Sequence, residues 1–107
     1  MRSCEIYING TPVGLLTEKD NTYLFKYHEE YLKNPVEGPV SLTLPLTAGV
    51  YTSPHLFPAF ANMLTEGANR QLQSDILKID IDDDFGFLLN TCRFDAIGPI
   101  TVKPMPE

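Results

Sequence analysis

The sequence has few basic residues, few cysteines and no long apolar segment, and each shortage excludes a class of function. Its 8 lysines and arginines are outnumbered by 14 aspartates and glutamates, which gives a formal net charge of −6 at pH 7. Direct DNA or RNA binding is not expected, because nucleic-acid affinity comes largely from Lys and Arg that displace counterions. The opening residues lack the apolar run of a secretory signal, and no segment approaches the roughly 20 apolar residues of a membrane span. We therefore expect a cytoplasmic protein with no membrane contact.

The two cysteines, Cys4 and Cys92, form neither a CxxC pair nor a metal-ligand cluster with His28 or His55. In a reducing compartment, cysteines of this kind pack as small apolar side chains, and a disulfide is the less favoured alternative. The isolated histidines favour surface or helix-end positions over catalysis. No metal or cofactor is expected.

The length of 107 residues suits one domain, over residues 1–107, and is too short for two of ordinary size. A hydrophobic content of 43% with 21% charged residues is that of a globular chain. The predicted fold is α+β, with a small antiparallel sheet of about five strands and two or three short helices.

Strand signals dominate the first quarter of the chain. The alternating run Cys4 to Ile8 is followed by Asn9-Gly10, a dipeptide typical of tight hairpin turns, and then by a return strand over Thr11 to Leu16. Pro12 cannot donate to a ladder, which places it at a sheet edge or a bulge. The aromatic-rich run Thr22 to Tyr27 completes a predicted three-stranded meander.

Later strands and loops are marked by turn residues. The string His28 to Asn34 predicts one or two helical turns, and the alternation over Val40 to Leu44 predicts a fourth strand. Residues 46–55 lack a regular pattern and are predicted to form a loop. The run Ile100 to Val102 predicts a last strand.

Apolar spacings of three and four predict three short helices. The first has the stripe Leu56, Phe57, Phe60, Met63 and Leu64. Gly67 is predicted to end it, and Asn69 to cap a second helix. That second helix has the stripe Leu72, Ile76, Leu77 and Ile79. Asp82 or Asp83 is predicted to cap a third helix, which contains Phe85, Leu88 and Leu89.

The tripeptide Asp84-Phe85-Gly86 spells the magnesium-binding motif of protein kinases, but the partners that a kinase needs do not accompany it. We interpret Asp84 as a first-turn acid that interacts favourably with the helix dipole. The run Asp80, Asp82, Asp83 and Asp84 has three interpretations: a solvated helix N-terminus, which is favoured, a hard-cation site, or an acidic patch for a basic partner. No catalytic residue is assigned, and an enzyme is not expected.

The five tyrosines are interpreted as residues that fill a small sheet core with their hydroxyls in water, an interface role being the alternative. They are Tyr7, Tyr23, Tyr27, Tyr31 and Tyr51.

The turn between the first two predicted helices is the candidate binding site. Its polar residues either face a partner, or they form a plain connection in which Arg70 pairs with a nearby acid, and the sequence favours neither. The candidate residues are Met63, Leu64, Thr65, Glu66, Gly67, Ala68, Asn69 and Arg70.

The order of several motifs resembles the N-terminal subdomain of HipA-like serine/threonine kinases. The YINGTPVGLL opening, the LTLPL element at Leu42 to Leu46, the DDFGFLL segment at Asp83 to Leu89 and the GPITVKP ending at Gly98 to Pro104 carry this resemblance. The family often has a proline in the turn that is here Met63 to Gly67, so the sequence departs from the pattern there.

The resemblance implies a function in toxin–antitoxin systems. In two-component systems this subdomain is the front part of the kinase toxin, whereas in tripartite HipBST-type systems it is a separate small antitoxin. A chain that stops where the subdomain stops is expected to be of the second kind. The implied partners are a HipT-like serine/threonine kinase toxin, which the chain inhibits, and a HipB-like DNA-binding protein in a ternary complex. The alternative is a structural subdomain or fragment of a HipA-like kinase.

Overall fold

The structure, a computed structural model, describes residues 2–62, 64, 67–91 and 100–105, and only the backbone of residues 67–69, 90 and 91. The strands in this part of the chain are β1 (Arg2–Ile8), β2 (Thr11–Lys19), β3 (Thr22–Tyr27), β4 (Tyr51–Ser53) and β5 (Ile100–Pro104). The helices are α1 (Glu29–Lys33), α2 (Pro58–Ala61), α3 (Gly67–Leu77) and α4 (Asp84–Thr91). Within the described residues the α+β prediction is confirmed, with five antiparallel strands in the order β4-β3-β2-β1-β5 and four short helices instead of two or three. None of these helices is long and apolar enough to cross a membrane.

The predicted meander is present and is closed by two turns with left-handed backbone. Asn9 and Gly10 join β1 to β2 with φ values of 50° and 82°. Asp20 and Asn21 join β2 to β3 with φ values of 51° and 61°. Two consecutive positive φ angles match the right-handed twist of paired strands, and Asn, Asp and Gly adopt them at the least cost. The local sequence therefore determines the register of the first three strands.

Pro12 lies at a bulge, as predicted, although β2 is an interior strand. The register of β1 with β2 runs from Ile6 opposite Gly14 to Tyr7 opposite Pro12, which leaves Val13 as the extra residue. Val13 is fully buried. The bulge thus accommodates a proline next to a core residue in the middle of the sheet.

One face of the sheet carries the hydrophobic core. Alternate residues of β1 and β2 are buried there, and α2 and α4 supply further buried aromatic and aliphatic residues. The fully buried side chains are Cys4, Ile6, Val13, Leu16, Phe25, Tyr27, Phe60, Phe85, Phe87, Leu88 and Leu44. Cys4 is buried, in agreement with its prediction as a small apolar residue, and Cys92 lies outside the described residues.

The prediction of a fourth strand over Val40 to Leu44 is wrong. Residues 41–44 form a tight turn, in which the backbone N–H of Leu44 donates to the Ser41 carbonyl at 3.0 Å and the Thr43 N–H donates to Ser41 Oγ at 3.2 Å. Ser and Thr side chains that bond to nearby backbone favour turns over ladders. The fourth strand is Tyr51–Ser53, inside the segment predicted as a loop, and it pairs with β3.

The predicted helices are partly confirmed. The last strand and α1 occur where they were expected, and α4 begins directly after Asp83, whose Oδ1 accepts a hydrogen bond from the Gly86 N–H at 3.1 Å. α2 is only Pro58–Ala61, with Phe60 fully buried, and Met63 of its predicted stripe lies outside the described residues. The asparagine cap is wrong, because α3 already begins at Gly67 and Asn69 lies in its first turn.

Candidate partner-binding site

The candidate segment leads into the N-terminal end of α3. Met63, Thr65 and Glu66 lie outside the described residues. Leu64 is half-buried and packs against the core. Gly67, Ala68 and Asn69 form the first turn of α3, whose backbone alone is described. Arg70 is the polar residue of the segment whose side chain the structure defines.

Arg70 is engaged inside the molecule. Its Nε donates to the carbonyl oxygen of Ile81 at 2.9 Å, and its Nη2 lies 2.5 Å from Asp84 Oδ1. The guanidinium carbon lies 4.4 Å from the ring centroid of Phe87, within the range of a cation–π interaction. The side chain of Arg70 is only 16% exposed. Arg70 therefore holds the start of α3 against α4.

Arg2 ties the same region, the start of α4, to the sheet. From β1 it donates to Glu18 on β2, with Nη2 2.6 Å from Oε1, and forms two bonds to Asp83, of 2.7 and 3.0 Å. Its guanidinium also lies 5.2 Å from the centre of the Phe85 ring. Two parallel N–H to oxygen bonds are the strongest geometry for an arginine–carboxylate pair. The bidentate pair fixes the start of α4 on the sheet.

Asp83 is perturbed by this environment. The hydrogen bonds from Arg2 lower the pKa of the Asp83 carboxyl below its ordinary value of 3.8, partial burial opposes that shift, and the Gly86 N–H adds to it. The same bonds raise the pKa of Arg2. Asp83 is thus both the cap of α4 and the acid that binds the sheet.

Two other acids of the run, Asp80 and Asp84, also have structural partners. Asp84 pairs with Arg70, and Asp80 Oδ1 accepts a hydrogen bond from the Asp82 N–H at 2.9 Å. Phe85, the middle residue of the kinase-like tripeptide, is fully buried in the core. Among the described residues, no three or more His, Cys, Asp or Glu side chains are arranged to hold a metal ion.

Three of the five tyrosine hydroxyls bind the backbone of a loop, whereas the sequence-based interpretation placed them in water. The Tyr27 hydroxyl donates to the Leu44 carbonyl and accepts a bond from the Val40 N–H at 2.9 Å. The Tyr31 hydroxyl donates to the Gly38 carbonyl at 2.7 Å. The hydroxyl of Tyr51 likewise donates to the Pro45 carbonyl at 2.7 Å. These bonds hold the irregular segment between α1 and β4 on the sheet. Contacts over such sequence distances have no local signal, which is why sequence reasoning missed them.

A groove of about 590 Å³ lies on the other face of the sheet, beside α1. Glu5, Leu15 and Lys26 line it from three neighbouring strands, and Tyr31 lines it from α1. His28 Nε2 lies 4.0 Å from Glu5 Oε1 at its wall. The groove was not predicted, because its lining residues come from separate elements and form no motif.

Fold and site together define a small α+β domain in which two arginine–aspartate pairs, Arg2–Asp83 and Arg70–Asp84, join α4 to the sheet and to α3. The family model for the HipA N-terminal domain matches residues 4–103, and the chain belongs to this family. It is 34% identical over 91 residues to an uncharacterized protein of Haemophilus influenzae, a match that covers 84% of this chain and 81% of that protein. It also resembles a solved structure described as the N-terminal domain of HipA toxin, with a TM-score of 0.74, 27% identity, and coverage of 100% of this chain and 95% of the other.

These matches confirm the resemblance inferred from the motifs. They place the chain in a HipA-related toxin–antitoxin context. The matched region is the N-terminal domain, so the 107 residues do not include the kinase catalytic domain.

Proposed function

We propose that this protein is a HipS-type antitoxin, which binds and inhibits a HipT-like serine/threonine kinase toxin in the cytoplasm. A HipB-like DNA-binding protein is the third member of the proposed complex. The chain contributes no catalytic residue and no cofactor. Inhibition follows from its occupation of the kinase surface.

The observation that carries this proposal is the length of the Haemophilus influenzae relative. The match covers 81% of that protein, which leaves no room in it for a kinase core. The domain therefore occurs in nature as a small protein of its own. A kinase accessory domain that is encoded apart from a kinase acts on it by binding, and inhibition on binding would make this chain an antitoxin.

The alternative is a structural subdomain of a HipA-like kinase, and the solved structure favours it. The whole chain matches the N-terminal domain of HipA toxin. A structural subunit is expected to complete or stabilise the kinase on binding. The sign of its effect on kinase activity therefore separates the two functions.

The proposed kinase-facing segment is Met63 to Arg70, at the start of α3. The engaged position of Arg70 divides this segment into two parts. Residues 63–69 are proposed to contact the kinase, and Arg70 is proposed to fix the angle at which α3 presents them. A variant that removes Arg70 therefore tests helix position, whereas variants at Glu66 and Asn69 test direct contact.

Co-expression tests the proposed function. The chain is produced together with a HipA-like kinase that lacks its own N-terminal domain, and growth rescue and co-purification are scored in the same cells. Rescue with a stable complex is the expected result. A complex without rescue would favour the structural subunit, and the lack of both would refute the proposal.

The site is tested in the same assay. With Glu66→Ala combined with Asn69→Ala, the amount of chain needed for growth rescue is expected to rise at least about tenfold, because interface contacts are lost. The matched control is Glu29→Ala combined with Asn34→Ala, which changes the same residue types at exposed positions at the two ends of α1. Full rescue by the Glu66 and Asn69 variant would remove these residues from the site.

A further inference from the structure

Helix α3 carries an apolar ridge that is more exposed than buried. Leu72 and Ile76 lie one turn apart, on the same side of the helix, and are 57% and 66% exposed. Of the predicted stripe, Leu72, Ile76 and Leu77 lie on α3 and are exposed, whereas Ile79 lies beyond the end of the helix and is half-buried. Single exposed apolar residues are ordinary, whereas neighbouring exposed apolar residues that form a contiguous patch favour an interaction surface. We refer to Leu72 and Ile76 as the α3 ridge.

The rest of α3 is weakly attached to the domain. None of its described side chains, residues 70–77, is buried. Among the described residues, the side-chain hydrogen bonds from α3 to residues outside the helix come from Arg70, to residues 81 and 84, and from Ser74, whose Oγ donates to the Ile79 carbonyl at 2.5 Å. Gln73 Oε1 is buried without a hydrogen-bond partner among the described residues, which costs stability. A helix of 11 residues is marginal alone and gains most of its stability from packing of its apolar face.

The charges around the α3 ridge indicate which surface covers it. Asp75 lies three residues after Leu72 and is exposed, and Asp80 and Asp82 are exposed just beyond the helix. Lys78 is the one basic residue in the segment 71–84. Two copies of this face would bring acidic rims together, and an anionic membrane would repel the same rim. The complementary surface is an apolar groove with basic residues along its edges.

We propose that the α3 ridge inserts into an apolar groove with a basic rim on the kinase partner. The identity of the partner rests on the proposed function; the chemistry of the groove rests on the exposure and charge of α3. Burial of Leu72 and Ile76 slows dissociation, while the aspartates accelerate association.

The test is the dissociation constant between the purified chain and the purified kinase that lacks its own N-terminal domain. Leu72→Gln combined with Ile76→Gln is expected to raise the Kd by at least about tenfold. The matched control is Val36→Gln combined with Val50→Gln, because these valines are 65% and 52% exposed elsewhere on the surface. The control is expected to stay within about twofold of the parent Kd, and both variants to unfold within about 4 °C of it.

A charge reversal tests the rim. Asp75→Lys is expected to slow association at low salt, with a difference that shrinks as ionic strength rises. Glu29→Lys, which reverses an exposed acid on α1, is expected to have a smaller effect.

The outcomes separate this inference from the proposed function. Tight binding that the ridge variant leaves unchanged would overturn the α3 ridge and leave the antitoxin proposal intact. Binding that depends on the ridge but gives no growth rescue would support the ridge and refute the antitoxin. A parent chain that does not bind the kinase would overturn both, and self-association through α3 would overturn the choice of partner.

Discussion

Replacement of Arg70 by alanine is expected to release α3 from α4 while the sheet stays folded. The guanidinium makes three contacts: a 2.9 Å hydrogen bond to the Ile81 carbonyl, an ion pair with Asp84, and a cation–π contact with Phe87 at 4.4 Å. All three are with residues 81–87, at the start of α4 and in the turn before it. The loss is therefore local to the helical layer.

The magnitude follows from these contacts. The hydrogen bond contributes about 0.5–1.5 kcal/mol. The ion pair contributes less than about 1 kcal/mol, because Asp84 is 42% exposed and water screens the charges. The cation–π contact adds about 0.5–1 kcal/mol or somewhat more, since Phe87 is buried. Because one group makes all three contacts, the terms are not additive, and a total of about 1.5–3 kcal/mol is expected.

Amide hydrogen exchange measures this loss directly. Protection of the α3 amides is expected to fall by about 10- to 100-fold in Arg70→Ala, with the amides of β1 to β3 unchanged. Arg70→Lys keeps the charge without the planar fork and should lie in between. Lys19→Ala, at an exposed strand end, is the control. Unchanged α3 protection in Arg70→Ala, or an equal loss of protection throughout the sheet, would refute the positioning role.

Three further predictions concern the domain itself. Tyr27→Phe removes a hydroxyl that bonds the backbone on both sides of the 41–44 turn, at Val40 and Leu44. It should lower the free energy of unfolding by about 1–3 kcal/mol in urea titration, whereas Tyr51→Phe, which removes one exposed bond, should cost less. Gly14→Ala should cost about 1–3 kcal/mol, because its Cβ would meet a β3 carbonyl oxygen and an aromatic ring at 2.8 Å, whereas Gly49→Ala has open space and should be near neutral in thermal unfolding. Because the pKa of Asp83 is lowered in the folded state, its carboxylate stabilises the fold fully above the ordinary carboxyl pKa of 3.8, and this stabilisation is lost as the pH falls through the lower folded-state value. Asp83→Asn keeps a capping side chain but not the charge, so it should flatten the acid side of a curve of unfolding free energy against pH. Equal stability of the two tyrosine variants, a neutral Gly14→Ala, or an unchanged acid limb would each contradict the corresponding contact.

The parts of the fold that sequence reasoning predicted are those set by local chemistry. The Asn9-Gly10 turn, the bulge at Pro12 and the cap at Asp83 follow from backbone preferences of single residues or pairs. Such signals act over a few residues and can be recognised from a single sequence. They suffice for the meander and for the start of α4.

The errors arise where long-range contacts override a local pattern. The alternation of Val40 to Leu44 is strand-like, but the Tyr27 hydroxyl bonds to both sides of this segment and holds it as a turn. The stripe of α3 has helical spacing, yet spacing alone does not tell whether the chain or a partner covers it. Arg2 could not be assigned from sequence either, because its partner Asp83 is 81 residues away.

The most direct test of the proposed function is the autophosphorylation of a purified HipA-like kinase that lacks its own N-terminal domain, measured while the purified chain is titrated in. An antitoxin predicts that phosphate incorporation falls to background once the chain exceeds the kinase, with the Leu72→Gln, Ile76→Gln variant requiring at least about tenfold more. Kinase activity that is unchanged or raised at saturating chain would contradict inhibition, and a rise would identify the chain as a structural subunit.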